Sequence, residues 1–426
     1  MGRRSRVSFL IAGLLFIPAV LFAQFNNSTT SPYSRYGLGD LQPYSLGRSA
    51  AMGGASLASR YSMQINVANP ASLTSLDSLN FLFEFGLEGK FAKYYTDDNS
   101  MQSNDVNFKY FAMSFRLTEW MATSLSLSPY SDVGYYVTSV ADMDNVGNVY
   151  TTYYGAGTIS NAKWGLAIEP IKNVSVGMNL NYRFGQLNRN TEVTFADPSF
   201  YNVQRYSTLR IRDFGLDLGL QATLPMKDDK SLTLGLVYAS SPEYTDFVSD
   251  IIQKNLSYGG TLDQDTLHYE EEQRGSMVFP MTFGTGLSFA KENVYEINVD
   301  YYHEGWANAE FLGGKSNFLT DLNKFAIGAE WIPDKFSIRS FINRVAYRAG
   351  FKYEQTYHTF AGQHINDFGI SFGVGIPMYR SNSTLNVGAE FGQRGTKEHN
   401  LVLEKYAKVN LSVSLHDLWF MQRKIE

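Results

Sequence analysis

Cysteine is absent from all 426 residues. That excludes a disulfide framework, thiolate metal sites and a lipid-modified N-terminal cysteine, so the chain is not a lipoprotein. Positive charge is in the minority, with 36 Lys and Arg against 41 Asp and Glu and no basic cluster. Nucleic acid is therefore excluded as a partner, because a phosphate backbone requires clustered cations. The histidines His268, His303, His358, His364, His399 and His416 fall at no ligand spacing, so neither a metal nor another cofactor is expected. Beyond the N-terminus no apolar run is long enough for a spanning helix. A closed sheet is then the one way this chain can cross a membrane.

The N-terminus itself reads as a secretory signal over residues 1–23. Arg3, Arg4 and Arg6 precede an apolar stretch at residues 7–22, and Ala23 followed by Gln24 suits cleavage. The remainder is rich in 28 Tyr, 30 Phe and 36 Gly, which fits strands that meet lipid on one face only.

Period-two alternation carries the fold reading, since neighbouring strand residues point to opposite faces. Val174, Val176, Met178, Leu180, Tyr182 and Phe184 alternate with polar or small residues, and so do Phe214, Leu216, Leu218, Leu220, Ala222 and Leu224. Comparable stripes start at Phe81 and recur through Leu232, Phe279, Tyr295, Phe325, Tyr347, Phe368, Leu385 and Val409. Short turns are expected near residues 118–119, 170–173, 226–230, 291–293, 333–335 and 380–383. Longer loops are expected near 97–104, 142–148, 188–204, 250–274, 305–320, 358–364 and 395–404. Short turns on one side and long loops on the other define an all-β transmembrane antiparallel barrel of about fourteen strands over residues 79–426. The stretch between residues 149 and 168 is open to reading as one strand or two.

Residues 24–78 do not alternate. They hold Pro32, Pro43 and Pro70 with several glycines, yet Tyr33, Tyr36, Leu38, Leu41, Tyr44, Met52, Leu57 and Tyr61 make them too apolar for a disordered tail. An N-terminal hatch filling the barrel is expected.

Three groups could carry function. If the apolar stripes face lipid, Glu84, Glu88, Glu296, Asp300, Glu304, Arg344, Arg348 and Lys352 point into the lumen. They form either a polar path or, in the favoured reading, an ion-paired network that pins the hatch. In the third expected strand, Pro129 lacks the amide hydrogen a ladder requires. With Ser131, Asp132 and Gly134 it marks either a window in the wall or a bulge at the rim. Asn69, Pro70 and Ala71 form a plain turn or part of a gate. Asp263, Asp265 and the acidic run 270–272 suit a solvated loop better than a cation site. No phosphate-binding loop or nucleophile constellation is visible, so the chain is not read as an enzyme.

Ala68-Asn69-Pro70-Ala71 after Met52-Gly53-Gly54-Ala55 resembles the hatch of the FadL family of outer-membrane transporters. Phe279-Pro280-Met281-Thr282-Phe283-Gly284, Val299-Asp300-Tyr301-Tyr302 to Trp306, and Tyr347-Arg348-Ala349-Gly350-Phe351-Lys352-Tyr353 are similar to strands of that family. The resemblance implies a fourteen-stranded barrel in the bacterial outer membrane, surrounded by lipid and lipopolysaccharide. It further implies uptake of small hydrophobic compounds, gated at Asn69, Pro70 and Ala71, with lateral exit at the break from Pro129 to Gly134. Ser31-Pro32-Tyr33-Ser34-Arg35-Tyr36-Gly37 and Asp417-Leu418-Trp419-Phe420 resemble Bacteroidota members of the family. Some of those are protein subunits of outer-membrane secretion or barrel-assembly machinery, which is the alternative function.

Overall fold

The stripes pair edge to edge in the computed structural model, which describes residues 28–42, 45–78, 80–241, 243–258, 261–311, 314–315, 317–360, 362–379 and 381–418. The expected signal segment, the first four hatch residues, Pro43, Tyr44 and residues 419–426 lie outside the described residues.

The chain order is β1 (Asp40–Leu41), β2 (Asn80–Tyr95), β3 (Ser100–Thr118), β4 (Met121–Met143), β5 (Gly147–Ile171), β6 (Val174–Phe195) and β7 (Asn202–Pro225). Then come β8 (Lys230–Ala239), β9 (Glu243–Tyr258), β10 (Thr261–Val278), β11 (Thr282–Lys291), β12 (Tyr295–Glu304), β13 (Glu310–Phe311) and β14 (Gly314–Lys315). Last are β15 (Leu322–Trp331), β16 (Ala346–Phe360), β17 (Gln363–Pro377), β18 (Thr384–Arg394) and β19 (Leu403–Leu418). β8 continues as β9 and β10 as β11, so each couple forms one wall strand. β1 belongs to the hatch, and β13 and β14 lie between β12 and β15. The wall is thus a closed antiparallel barrel of 14 strands. It closes where β19 meets β2, from Leu403 opposite Tyr95 to Leu418 opposite Asn80. Closure satisfies the backbone groups that lipid cannot.

Burial runs opposite to that of a soluble protein. On β4, Leu125 and Leu127 are exposed while Ser124 and Ser126 are buried, and on β12, Ile297 and Val299 are exposed while Asn298 and Asp300 are buried. Apolar side chains coat the outside and polar ones fill the inside, as a bilayer requires. Trp120, at a short turn, and Trp331, its ring 6.1 Å from that of Tyr347 and tilted to it, mark the periplasmic aromatic girdle.

The stretch between residues 149 and 168 is one strand, within β5. Several expected long loops turn out to be strand. Residues 250–258 and 261–274 lie in the paired strands β9 and β10, and much of 188–204 lies in β6 and β7. Above the bilayer both faces of a sheet meet water, so alternation disappears while backbone pairing continues. β4 to β7 therefore reach 22 to 25 residues, against 10 in β12 and β15, and the wall stands taller on that side. In the other direction, the expected short turn at 333–335 is a long segment joining Trp331 to Ala346.

Candidate functional site

Residues 28–42 and 45–78 fill the lumen as short helical turns, irregular chain and the two-residue β1, and Leu38, Met52, Leu57 and Asn69 are wholly buried. The hatch is held by charge. Arg48, in a helical turn at Gly47–Ala50, donates to Glu296 at 2.7 Å and to both carboxylate oxygens of Glu330 at 2.8 and 2.9 Å. Glu330 also accepts from Arg348 at 2.6 Å. Burial opposes the Arg48 charge, but Glu296 and Glu330 outweigh it and raise its pKa further above the ordinary value. Asp300 accepts the amides of Ser56 and Leu57 at 2.5 and 2.8 Å, and Glu84 accepts that of Ile65 at 2.8 Å. A buried carboxylate so bonded fixes backbone, because losing its partner would strand it uncompensated.

Asn69, Pro70 and Ala71 pack directly on the wall. The Asn69 amide nitrogen donates to Leu57 O at 2.8 Å and to Leu220 O of β7 at 3.2 Å, while its oxygen caps Ala71 N at 3.1 Å. Gly219 permits this approach, since a Cβ there would lie 2.2 Å from the Asn69 side-chain oxygen. Gly350 does the same for the backbone of Met52 and Gly53.

Pro129 sits where β4 parts from β3. Pairing of those strands ends at Phe111 opposite Leu127, whereas β4 continues against β5 with a register shift between Pro129 and Ser131. β3 leaves with β2 through its own register shift between Gly86 and Leu87. The wedge so formed is filled by hatch. β1 pairs with the free edge of β4, Asp40 opposite Asp132 and Leu41 opposite Ser131. Gln42 bonds Tyr130 O and Asp132 on β4 and accepts from Lys109 on β3, the last two at 2.7 Å. Ser34 exchanges hydrogen bonds with Gly134. Pro129 thus lies at an irregularity of the wall where β1 stands in for the missing contact with β3. Asp40 is tied to Arg394 of β18 at 2.6 Å. Burial pushes its carboxyl up, but Arg394, aided by Lys90, overrides this and holds it below the ordinary range.

A second interruption lies where β8 gives way to β9 and β10 to β11. Phe279 and Pro280 occupy the break, closed from inside by Arg183, which donates to Tyr244 at 2.6 Å and stacks 5.0 Å from the Phe279 ring. Beside the wedge a cavity of about 120 Å³ is bordered by Glu88, Lys90, Lys109, Lys352, Arg394 and Glu404. Leu41, Pro129, Tyr130, Tyr302, Leu322 and Tyr357 also border it, so the lining is mixed, charged and apolar. An apolar cluster of Leu38, Tyr130, Ile159, Phe279, Trp306 and Tyr357 is packed by its own side chains.

Seven of the eight expected lumen charges sit within the wall strands and contact a partner. Glu88 meets Lys109, Glu304 accepts from Trp306, and Lys352 meets Glu390 and Asp367. Arg344 does not lie on the strand as expected. It belongs to a turn before β16 and borders a periplasmic cavity. Strand parity, which placed Arg348, would also have placed Glu330, Glu390 and Arg394 inside. Arg48 carried no such signal, because the hatch has no period.

These features define an outer-membrane β-barrel whose lumen is occupied by an N-terminal hatch, and its fold is that of the FadL-type channels. The BamG family model matches residues 6–426, and the chain belongs to the BamG family. No curated protein matches it. Among solved structures, the toluene transporter TodX of Pseudomonas putida is 17% identical, with 89% of this chain and 99% of that one covered and a TM-score of 0.56. The toluene transporter TbuX of Ralstonia pickettii is 13% identical over 88% of this chain and 98% of that one, TM-score 0.56. The monoaromatic hydrocarbon channel CymD is 13% identical over 89% and 98%, TM-score 0.55. Identities this low show a shared fold. These neighbours are channels and not enzymes, in keeping with the non-enzymatic reading.

Proposed function

We propose that the protein is a barrel subunit of an outer-membrane secretion or barrel-assembly complex, built on a channel fold whose lumen serves as a fixed core. The observation that carries this reading is the Arg48–Glu330–Arg348 cluster with the Asp300 and Glu84 backbone clamps, which ties the hatch to four wall strands. A passage for hydrophobic molecules needs a mostly apolar lining, and in the cavity beside the hatch Glu88, Lys90, Lys109, Lys352, Arg394 and Glu404 interrupt the apolar surface. The resemblance to Bacteroidota members that partner such machinery supports the same reading.

A second reading is uptake of small hydrophobic compounds, gated by the hatch and released sideways at Pro129. It is favoured by the wedge between β3 and β4, where hatch and not strand closes the wall. TodX and TbuX are named as toluene transporters, and the same class of ligand would apply here.

One double substitution separates the two. Leu41 and Ser131 are register partners, and the chain has no other thiol, so L41C/S131C locks the hatch across the wedge by a disulfide. A locked protein that stays with its partner subunits and sustains outer-membrane biogenesis supports the subunit role. Loss of toluene entry on oxidation, restored by reductant, supports transport. Isolation from native membranes as a chain without associated subunits overturns the first reading.

A further inference from the structure

The segment between Trp331 and Ala346 departs from the other turns on its side of the barrel. β3 and β4 are joined by Glu119 and Trp120, and β5 and β6 by Lys172 and Asn173, whereas this connection exposes four large apolar side chains, of which Phe336 borders the periplasmic cavity. Phe336 is 75% exposed, Ile338 99%, Phe341 50% and Ile342 67%. Lys335, Arg339 and Arg344 are interleaved with them, and from residue 335 to 345 there is no acid. Asp334 at the start is spent internally, accepting the amide of Phe336 at 3.1 Å.

The segment is built rather than slack. Asp334 N bonds Asn343 O at 2.9 Å across its base, and a turn at Ile342–Arg344 leads into β16. The Arg344 guanidinium lies 5.3 Å from the Phe341 ring, and its Nε is buried without a hydrogen-bond partner. Its position is set by the girdle. Tyr347, its ring tilted against that of the exposed Trp331, donates to Ile342 O at 3.2 Å. The apolar side chains therefore continue the exposed apolar band beyond the last strand residue with Arg339 exposed among them, whereas Lys335 is engaged with Asn293 at 2.6 Å.

We propose that residues 335–345 form an in-plane anchor for anionic phospholipid of the periplasmic leaflet. Ile338, Phe341 and Ile342 enter the boundary between head groups and acyl chains, and Arg339 and Arg344 bind phosphate. Interleaved aromatic, aliphatic and basic residues are the composition of segments that lie in the interface and prefer anionic lipid. Arg339 is exposed, and the unpartnered Nε of Arg344 beside Phe341 leaves that guanidinium with hydrogen-bonding capacity for a phosphate. The anchor is independent of the proposed subunit role and of transport, since it concerns how the barrel sits in its leaflet.

The test uses the absence of native cysteine. In the full-length protein, I338C is labelled with an environment-sensitive NBD group, and D228C, in the polar turn between β7 and β8, serves as the control. Both are reconstituted in phosphatidylcholine bilayers with and without phosphatidylglycerol, and heat-modifiable migration checks the fold. The expected result is a blue shift at position 338, with quenching by nitroxide lipids, that grows with phosphatidylglycerol and is absent at 228. R339E/R344E should return the 338 spectrum towards the wet control. A label equally wet at both positions overturns the proposal, as does an insertion indifferent to phosphatidylglycerol and to R339E/R344E. A blue shift that arises only on adding a periplasmic extract would assign the surface to a protein partner and also overturn it.

Discussion

Arg48 and Glu330 stand 282 residues apart in sequence and meet inside the barrel as a two-pronged ion pair, Nε to Oε2 at 2.8 Å and Nη2 to Oε1 at 2.9 Å. Arg348 completes the cluster from β16, so the carboxylate that holds the hatch is itself braced within the wall. Such a pair confers little net stability over an apolar substitute, yet breaking it is expensive because a charge is left buried.

Arg48→Ala should accordingly loosen the hatch and spare the wall. Removing the guanidinium leaves Glu296 without its cation, and the loss should be about 3–5 kcal/mol of local stability. Hydrogen exchange would show amides of residues 45–78 exchanging faster while β12 and β15 keep their protection. Unchanged exchange in the hatch would mean that packing alone holds it.

The close approach of hatch to wall makes a steric prediction. A side chain at Gly219 or Gly350 would meet Asn69 Oδ1 or Gly53 N, each 2.2 Å from the new Cβ. Gly219→Val and Gly350→Val should therefore displace the hatch and raise conductance in planar bilayers. At Gly89 the nearest atom to a new Cβ is 3.9 Å away, so Gly89→Ala should leave conductance at its resting value. Equal conductance in all three would show that the hatch yields without opening a path.

How much of this can be read in the sequence follows from which physical environment writes a pattern. Lipid outside and water inside force alternation, so the stripe from Tyr347 to Tyr353 sets the register and, by parity, the inward position of Arg348. Above the bilayer the pressure on alternate residues vanishes. Asp263 to Glu272 consequently resembles a loop although it is hydrogen-bonded to β9. Proline is a reliable mark at Pro129, where β4 leaves β3, because a missing amide is a local property. The occupant of the wedge is not legible: Leu41 opposite Ser131 is a contact between distant segments, and nothing near Leu41 reports it. The segment around Ile338 reads as a short turn because Pro333 and Asp334 carry turn chemistry, which says where a turn begins and not how far it runs.

Asp40 gives a pH prediction for the seal. Arg394 lowers its folded pKa below the ordinary aspartate value, although burial alone would raise it. A depressed carboxylate contributes stability that is fully present above its unfolded pKa and is lost as pH falls through the folded one. The contact between β1 and β4 should therefore persist at mildly acidic pH and loosen only below the ordinary aspartate range. Asp40→Asn should remove that acid dependence and weaken the seal at neutral pH. The readout is amide exchange at Ser131, Asp132 and Val133 across a pH series, corrected for intrinsic rates. Loosening already at mildly acidic pH would place the sensitive group elsewhere.

Lipid contact can be separated from plain exposure by two substitutions of similar accessibility. Ile327 is 47% exposed in the middle of β15, flanked by Phe325 and Ala329 and paired with Val299 and Phe351. Val140 is 56% exposed near the outer end of β4, beyond the height of the shorter strands. If the exposed apolar band is bilayer-facing, Ile327→Lys carries an ammonium toward the membrane midplane and should cost about 2–4 kcal/mol. Val140→Lys replaces one water-facing side chain by another and should stay within about 0.5 kcal/mol. Guanidinium unfolding in lipid vesicles, followed by Trp fluorescence, measures both. The difference between the two, and not either value alone, is the diagnostic quantity, because it cancels changes in the unfolded chain. Equal costs would put both positions in the same solvent and contradict the membrane placement of β15.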